Sequence, residues 1–143
     1  MPDCVFCGIV AGKVPASVVH EDADTIAFMD IGSVNPGHVL VASKKHVENV
    51  YALDEVTGAA VGRALVRVAR AIGGAFSPEG LSQYQANGKL AGQTVFHYHV
   101  HLVPRRRDDG MKVDWPARNP ARDTLEADAA AIRKALQQET GGR

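Results

Sequence analysis

The chain has 143 residues, 45% of them hydrophobic, and 16 basic side chains balance 16 acidic ones. That length suits one domain with a real core, and zero formal charge argues against a non-specific binder of nucleic acid or of a membrane surface, which needs a basic field. No apolar run reaches a membrane span and the N-terminus lacks a signal-peptide apolar segment, so the expected compartment is the cytoplasm.

The chain opens on "MPDCVFCGIV", short, apolar and bearing Cys4 and Cys7. In a reducing compartment that C-x-x-C spacing points to metal or redox chemistry and away from a structural disulfide. "GKVPAS" reads as a loop, "VVHED" as a short strand, "DADT" as a turn and "TIAFMDI" as a buried strand. "GSVNPG", residues 32–37, is loop, and "HVLVASKKH" begins as a strand and ends basic. From Asp54 the period lengthens: Val61, Leu65, Val68, Ile72 and Phe76 recur at helical spacing, with Arg63, Arg67 and Arg70 off that stripe. Asp54 is the expected N-cap and Gly73-Gly74 the expected stop. "LSQYQA" is another strand. "NGKLAGQT" is a glycine-bearing loop and not a P-loop, since it lacks Gly-Lys-Ser/Thr and leads into a strand. Residues 106–122 show no period. Asp123 with Glu126 resembles a capping box, and Leu125, Ala129, Ile132 and Leu136 make a last amphipathic helix over 123–139. Strands, helix, strands, helix with short connections predict an α+β fold: an antiparallel sheet of about five strands, a long central helix and a C-terminal helix. One domain is expected over 1–143, with its core in about 3–105.

The last predicted strand, "VFHYHVHLV" from Val95, carries His97, His99 and His101 at alternate positions. In a strand these share a face, roughly 6.5–7 Å apart between successive Cα atoms. A lone strand histidine is an ordinary, partly buried side chain. Three together are costly, because each ring needs a hydrogen-bond partner and protonated rings repel. Metal binding and catalysis are the chemistries that justify them. A neutral imidazole is a good nucleophile at neutral pH.

The run His97-Tyr98-His99-Val100-His101-Leu102-Val103 resembles the histidine triad (HIT) signature, in which histidines alternate with apolar residues. The flanking "AGQTVF" and "PR", and the upstream stretch from Cys4 to His46, resemble bacterial members of the Hint and Fhit-like branches. The likeness spans about residues 3–105. It implies a HIT-like fold, a homodimer and a nucleotide hydrolase acting at the α-phosphate of a nucleoside phosphoramidate or dinucleoside polyphosphate through a nucleotidyl-histidine intermediate. It implies His99 as the nucleophile, held by a backbone carbonyl on its second nitrogen. It implies His101 as phosphate ligand and proton donor to the leaving group, and His38 as the supporting histidine from a neighbouring strand. By the same resemblance a purine nucleotide is bound by Asn87, Gly92, Gln93 and Thr94 at the phosphates and by Asp30, followed by Ile31, at the ribose. Val5, Phe6, Ile9 and Phe28 form its base slot. Read without the family, Asp30 is equally a solvated turn residue and the slot is ordinary core. Several relatives carry Asn or Gln at the position of Ala86, which makes Asn87 the looser match.

Two cysteines do not close a zinc site, which takes four ligands. In cysteine-bearing relatives zinc takes a set matched here by Cys4, Cys7, His46 and His97. The resemblance therefore implies one structural zinc per chain, pinning the N-terminus to the sheet. Free or oxidisable thiols are the alternative. Two other functions compete with hydrolysis. One is a nucleotide-binding regulatory module with incidental turnover. The other is a nucleotidyltransferase or nucleic-acid end-processing member of the superfamily, for which "RRR" at 105–107 is the only support; an exposed basic turn explains that run equally.

Overall fold

The computed structural model describes residues 3–112 and 114–141; Met1, Pro2, Val113, Gly142 and Arg143 lie outside the described residues. The chain divides into two compact units, residues 1–110 and 111–143.

The first unit holds helix α1 (Val5–Val10), strands β1 (Val18–Glu21), β2 (Thr25–Met29) and β3 (Val39–Ser43), helix α2 (Glu55–Phe76), and strands β4 (Gly80–Tyr84) and β5 (His99–Arg105). The strands form one antiparallel sheet in the order β1-β2-β3-β5-β4. Alternation along the central strands sorts their side chains between two cores. Ala27, Val39, Val41, Val100 and Leu102 pack with Val61, Ala64, Val68 and Ile72 of α2. Ile26, Phe28, Leu40 and Ala42 pack on the other face with Phe6 of α1. In the β3–β5 register Leu40 faces His101 and Ala42 faces His99, so these two histidines share the α1 side of the sheet.

Asp54 caps α2 as the sequence leads one to expect, its carboxylate accepting from the Thr57 amide and hydroxyl at 2.8 Å each. The stop differs. The helix runs through Gly73-Gly74 to Phe76, and the turn out is made by Ser77 in the left-handed region (φ 43°). Packing of Ile72 against the sheet carries the helix past the glycines, and Pro78, which cannot donate to the next turn, ends it. Arg106 then donates to the terminal carbonyls of Phe76 and Ser77 at 2.6 and 3.2 Å.

The opening segment, whose pattern assigns no element, is a helix, with Cys4 as its N-cap. One further expectation is corrected. The histidine strand begins at His99, not at Val95. Residues 95–98 leave the ladder, and the Tyr98 amide donates to the Val47 carbonyl at 2.7 Å. His97 therefore does not share the strand face of the other two.

The second unit holds irregular chain and helix α3 (Arg122–Gly141). Its first turn starts before Asp123, with the Leu125 amide bonded to the Ala121 carbonyl at 3.1 Å, so Asp123 lies inside the helix and is not its cap. A carboxylate there still favours the helix dipole. Leu125 and Ile132 of the expected apolar stripe are exposed.

Gly37 closes the turn into β3 with φ +88°, and a Cβ there would stand 2.8 Å from the Phe76 ring; at Gly12, φ is +72° but nothing lies within 4 Å. Gly12→Ala should therefore lose about 1 kcal/mol of stability, from backbone strain alone. Gly37→Ala should lose at least about twice that, because the ring of a core helix must also move. Chemical unfolding of both variants checks the difference, and equal losses would overturn it.

Candidate active site and metal cluster

His99 opens β5 on the α1 side of the sheet, 9% exposed and in edge-to-face contact with Phe6 at 5.0 Å between ring centres. Phe6 in turn packs edge-on to Phe28 at 5.2 Å. The Nδ1 of His99 lies 2.6 Å from the His97 carbonyl. A carbonyl only accepts, so Nδ1 carries the hydrogen and Nε2 is left with a bare lone pair. His99 and His101 line a cavity of about 240 Å³, whose walls include Val5, Phe6, Ile9, Phe28, Asp30, Ile31, Leu40 and Thr94.

His101 is tied to His38, which is 4% exposed at the end of the 30–38 loop. The Val34 amide donates to His38 Nδ1 at 3.1 Å. In the neutral ring the hydrogen must then sit on Nε2, which lies 3.0 Å from His101 Nδ1 and 3.2 Å from Asp30 Oδ2. His101 Nδ1 thus accepts, and its own hydrogen is on Nε2. Asp30 Oδ2 lies 3.6 Å from His101 Nδ1, and Asp30 Oδ1 accepts from the Gly32 amide at 2.8 Å.

Burial sets the charge state. It pulls the His99 pKa below the ordinary histidine value, against the His97 carbonyl and Asp30, which favour the proton. His101 is pulled down to about 4, by burial first and then by His99 and His38, with Asp30 opposing. Burial lowers His38 as well, again against Asp30. At neutral pH the free site holds neutral rings.

The expected site residues are not all brought together. Val5, Phe6, Ile9, Phe28, Asp30, Ile31, Thr94, His99 and His101 line the cavity. Asn87, Gly92 and Gln93 do not. Gln93 is 4% exposed, donating to the Glu48 and Val95 carbonyls at 2.6 and 3.2 Å and accepting from the Gly88 amide at 2.7 Å. Asn87 accepts from the Val50 amide at 2.8 Å and exchanges hydrogen bonds with Gln85. Gly92 makes a left-handed turn (φ +98°) beside the Tyr84 hydroxyl. These groups build the 87–93 loop, and of the four residues expected at the phosphates Thr94 alone lines the cavity. Val14, Pro15 and Ala16 also reach the wall. Nothing in "GKVPAS" signals that, since only the helical fold of the opening segment turns it there.

The second cluster joins Cys4 and Cys7 of the α1 N-terminus to His46, which follows β3, and His97, which precedes β5. Cys4 Sγ lies 3.4 Å from His97 Nδ1, Cys7 Sγ lies 3.3 Å from His46 Nδ1 and 3.6 Å from His97 Nδ1, and the two Nδ1 atoms are 3.2 Å apart. Edges of a tetrahedron with zinc–ligand bonds of about 2.0–2.3 Å are roughly 3.3–3.8 Å. The four donors therefore converge at zinc-sized spacing. His97 is fully buried, and its other nitrogen, Nε2, donates to the Ser43 carbonyl at 2.6 Å. That leaves Nδ1 as an acceptor toward the cluster, with the far nitrogen held by a backbone carbonyl as a ligating histidine needs. Burial and the neighbouring Cys4 push the Cys7 thiol up, a penalty that a bound cation reverses.

Asp30, His38 and His101 also converge within 4.8 Å. A cation there would need His38 Nε2 bare, which moves its hydrogen onto Nδ1 against the Val34 amide hydrogen. The donor set suits a shared proton and does not suit a metal. Among the described residues no helix is long and apolar enough to cross a membrane.

The HIT domain family matches residues 11–108. The Bacillus subtilis Protein hit is 44% identical over 114 residues, 79% of each chain. The Schizosaccharomyces pombe adenosine 5'-monophosphoramidase hnt1 is 36% identical over 115 residues, 80% of this chain and 84% of that one. Among solved structures, a HIT family protein from Bacillus anthracis aligns with a TM-score of 0.90 at 34% identity, covering 93% of this chain and 96% of that one. A Zn-bound histidine triad family protein from Mycobacterium smegmatis aligns with a TM-score of 0.73 at 34% identity, covering 99% of both chains. The alternating histidines at 97, 99 and 101 and the fold that presents them thus have one origin: the chain belongs to the HIT domain family.

Proposed function

We propose that the protein is a nucleotide hydrolase that cleaves at the α-phosphate of a nucleoside phosphoramidate or dinucleoside polyphosphate, with His99 as the nucleophile. The observation that carries this reading is the His99–His97 hydrogen bond, which leaves Nε2 bare in a cavity with apolar walls and an acid at one end. The kinship with a named adenosine 5'-monophosphoramidase supports it. The purine base lies in the slot of Val5, Phe6, Ile9 and Phe28, beside Ile31, with the ribose hydroxyls on Asp30 and the phosphate near Thr94 and His101.

His99 Nε2 attacks the α-phosphorus. A P–N bond forms, the bond from phosphorus to the leaving group breaks, and the leaving atom takes the electron pair and a proton. Water then attacks the nucleotidyl-histidine, restores the ring and releases the nucleoside monophosphate. His101 is neutral in the free site, and once nucleotide binds its Nε2–H donates to a phosphate oxygen. The phosphate anion favours uptake of a second proton from solvent onto Nδ1, and the His38 Nε2–H then has Asp30 Oδ2, 3.2 Å away, as its acceptor. That imidazolium protonates an amine as it departs.

In this reading zinc fills the Cys4, Cys7, His46, His97 cluster, a full set of four protein ligands and so a structural site. The Zn-bound mycobacterial relative supports the assignment. The protein works as a cytoplasmic homodimer. The edge strand β4, with Leu81 and Tyr84 exposed, offers an edge for a second copy to cover.

His99→Ala should lose at least about a thousand-fold in turnover on every substrate while still binding nucleotide. His101→Ala should slow an alkylamine phosphoramidate far more than a nitrophenyl nucleotide ester, whose leaving group needs no proton. Parallel kinetics with both substrates decide it. Equal slowing in His101→Ala would reassign that residue to phosphate binding, and wild-type rates in His99→Ala would remove it as nucleophile.

The charge state gives a pH test. A histidine of ordinary pKa loses half of its neutral form near pH 6.5. The lowered His99 value keeps the nucleophile neutral below that point. With the nitrophenyl ester, kcat/KM should therefore stay level as the pH falls through 6.5 and drop only at lower pH. A fall centred at 6.5 or above would contradict a buried nucleophile.

Metal analysis of the purified protein should find about one zinc per chain. Cys4→Ser combined with Cys7→Ser should lose the metal and lower the melting temperature, because metal bound to the folded state stabilises it. Full zinc in that double variant would rule the site out.

A further inference from the structure

Asn35 and Asp109 lie outside the cavity wall and outside every role assigned above. Asp109 sits in the turn after β5, between Asp108 at φ 61° and Gly110 at φ 81°. Its side chain is 3% exposed. It accepts from Arg105 Nε at 2.7 Å, Arg105 Nη2 at 3.0 Å, the Arg106 amide at 3.1 Å and Asn35 Nδ2 at 3.0 Å. The Asn35 Nδ2 also donates to the Pro104 carbonyl at 2.8 Å. Arg105 carries the network on to β4 through Ser82 Oγ at 3.1 Å. Both hydrogens of the Asn35 amide thus reach across from the 30–38 loop to the far end of the strand that bears His99 and His101.

Apart from these bonds and the approach of His38 and Asp30 to His101, the loop bonds to itself. The His38 amide donates to the Asn35 carbonyl at 3.2 Å, the Asp30 amide donates to the His38 carbonyl at 3.1 Å, and Asp30 Oδ1 holds the Gly32 amide. Next to Asn35 stands Val34, whose amide hydrogen points at His38 Nδ1. That contact acts with Asp30 Oδ2, 3.2 Å from His38 Nε2, to hold the hydrogen on Nε2, and so sets which way the His38–His101 hydrogen bond runs.

We propose that Asn35, held by Asp109, is a positioning residue that fixes the Nε2–H tautomer of His38 and thereby keeps the hydrogen of His101 on the nitrogen that faces the cavity. With Asn35 docked, Val34 N–H donates to His38 Nδ1, His38 Nε2–H donates to His101 Nδ1, and His101 Nε2–H is free to donate to a phosphate. With the loop tip released, Nδ1 of His38 no longer faces a fixed donor and can carry the hydrogen itself. His38 Nε2 then accepts from His101 Nδ1–H, and His101 presents a bare lone pair to the phosphate. The tautomer assignment stands on hydrogen-bond geometry alone. Its consequence for turnover rests on the hydrolase reading with His101 as the proton donor.

Ring ¹⁵N–¹H correlation spectra of the full-length protein at neutral pH read the tautomer directly. Wild type should show His38 as Nε2–H. Asn35→Ala should show it as Nδ1–H or as a mixture, and Asp109→Asn, which keeps the side-chain volume, should shift it the same way. If one variant fails to fold, the other still carries the test. Wild-type His38 as Nδ1–H, or an Nε2–H signal unchanged in a folded variant, would overturn the proposal. Kinetics then separate the two readings. The ratio of alkylamine phosphoramidate to nitrophenyl ester turnover should fall by about ten-fold or more in the same variants, a fraction of what a proton donor supplies. A shifted tautomer with an unchanged ratio upholds the positioning role and sinks His101 as the acid. A merely structural role would lower the melting temperature and leave both tautomer and ratio as in wild type.

Discussion

One hydrogen bond, 2.6 Å from His99 Nδ1 to the His97 carbonyl, orders the rest of the site. A regular strand does not permit it. In a ladder the carbonyl of residue i lies in the plane of the sheet, directed at a neighbouring strand, while the side chain of residue i+2 stands perpendicular to it. Here the β3 pairing starts at Ala42 and His99, so the His97 carbonyl is released from the ladder and can turn toward the ring two residues on. His97 is held in that departure by its own ring, between the Ser43 carbonyl and the two cysteines. The cysteine cluster and the tautomer of His99 therefore share a residue. The ring of His97 belongs to one, and its carbonyl belongs to the other.

The sheet supplies the second constraint, which is dryness. Leu40 and Ala42 face the two strand histidines across the ladder, and Phe6 covers His99 from α1. Such a wall disfavours imidazolium, so the histidine pKa values fall and the rings stay neutral. Burying neutral polar rings is tolerable only when each hydrogen and lone pair is matched. Among the described residues no buried side-chain nitrogen or oxygen lacks a partner. The matching is directional: the Val34 amide, His38 and His101 form a chain in which each ring accepts on Nδ1 and carries its hydrogen on Nε2.

The parts of this arrangement that follow from period and spacing were legible in the sequence. The 3.6-residue recurrence from Val61 marks α2, and Asp54 caps it. Alternation puts His99 and His101 on one face. The family likeness groups Cys4, Cys7, His46 and His97, which converge as a set. What was not legible depends on backbone departures that no pattern encodes. "VFHY" is as apolar and β-prone as any strand, yet it leaves the ladder because the Tyr98 amide and the His97 ring find partners outside it. Gly73-Gly74 reads as a stop, but burial of Ile72 outweighs about 1 kcal/mol of helix propensity per glycine. The family likeness is what sets Asn87 and Gln93 at the phosphates. Here their amides tie the loop to the backbone of Glu48 and Val50 and to Gly88, a choice set by which carbonyls and amides lie within reach. Asn35 and Asp109 are 74 positions apart and carry no local signal of their contact.

The two histidine clusters end with opposite chemistry from similar parts, and tautomers explain why. At His46 and His97 the Nδ1 atoms converge with two thiols, and the hydrogen of His97 is drawn to Nε2 by the Ser43 carbonyl. An acceptor behind the ring leaves a lone pair in front of it, which suits a cation. At His38 the group behind the ring is a donor, the Val34 amide, so the nitrogen in front carries a hydrogen and suits transfer to another base. In the proposed reading, a backbone carbonyl in one place and a backbone amide in the other suit one pair of histidines to a metal and the other to proton handling. The selection is made by main-chain atoms, whose identity is the same in every sequence. Only the fold that aims them differs, and at His38 that aim comes from a loop tied at its tip to the end of β5.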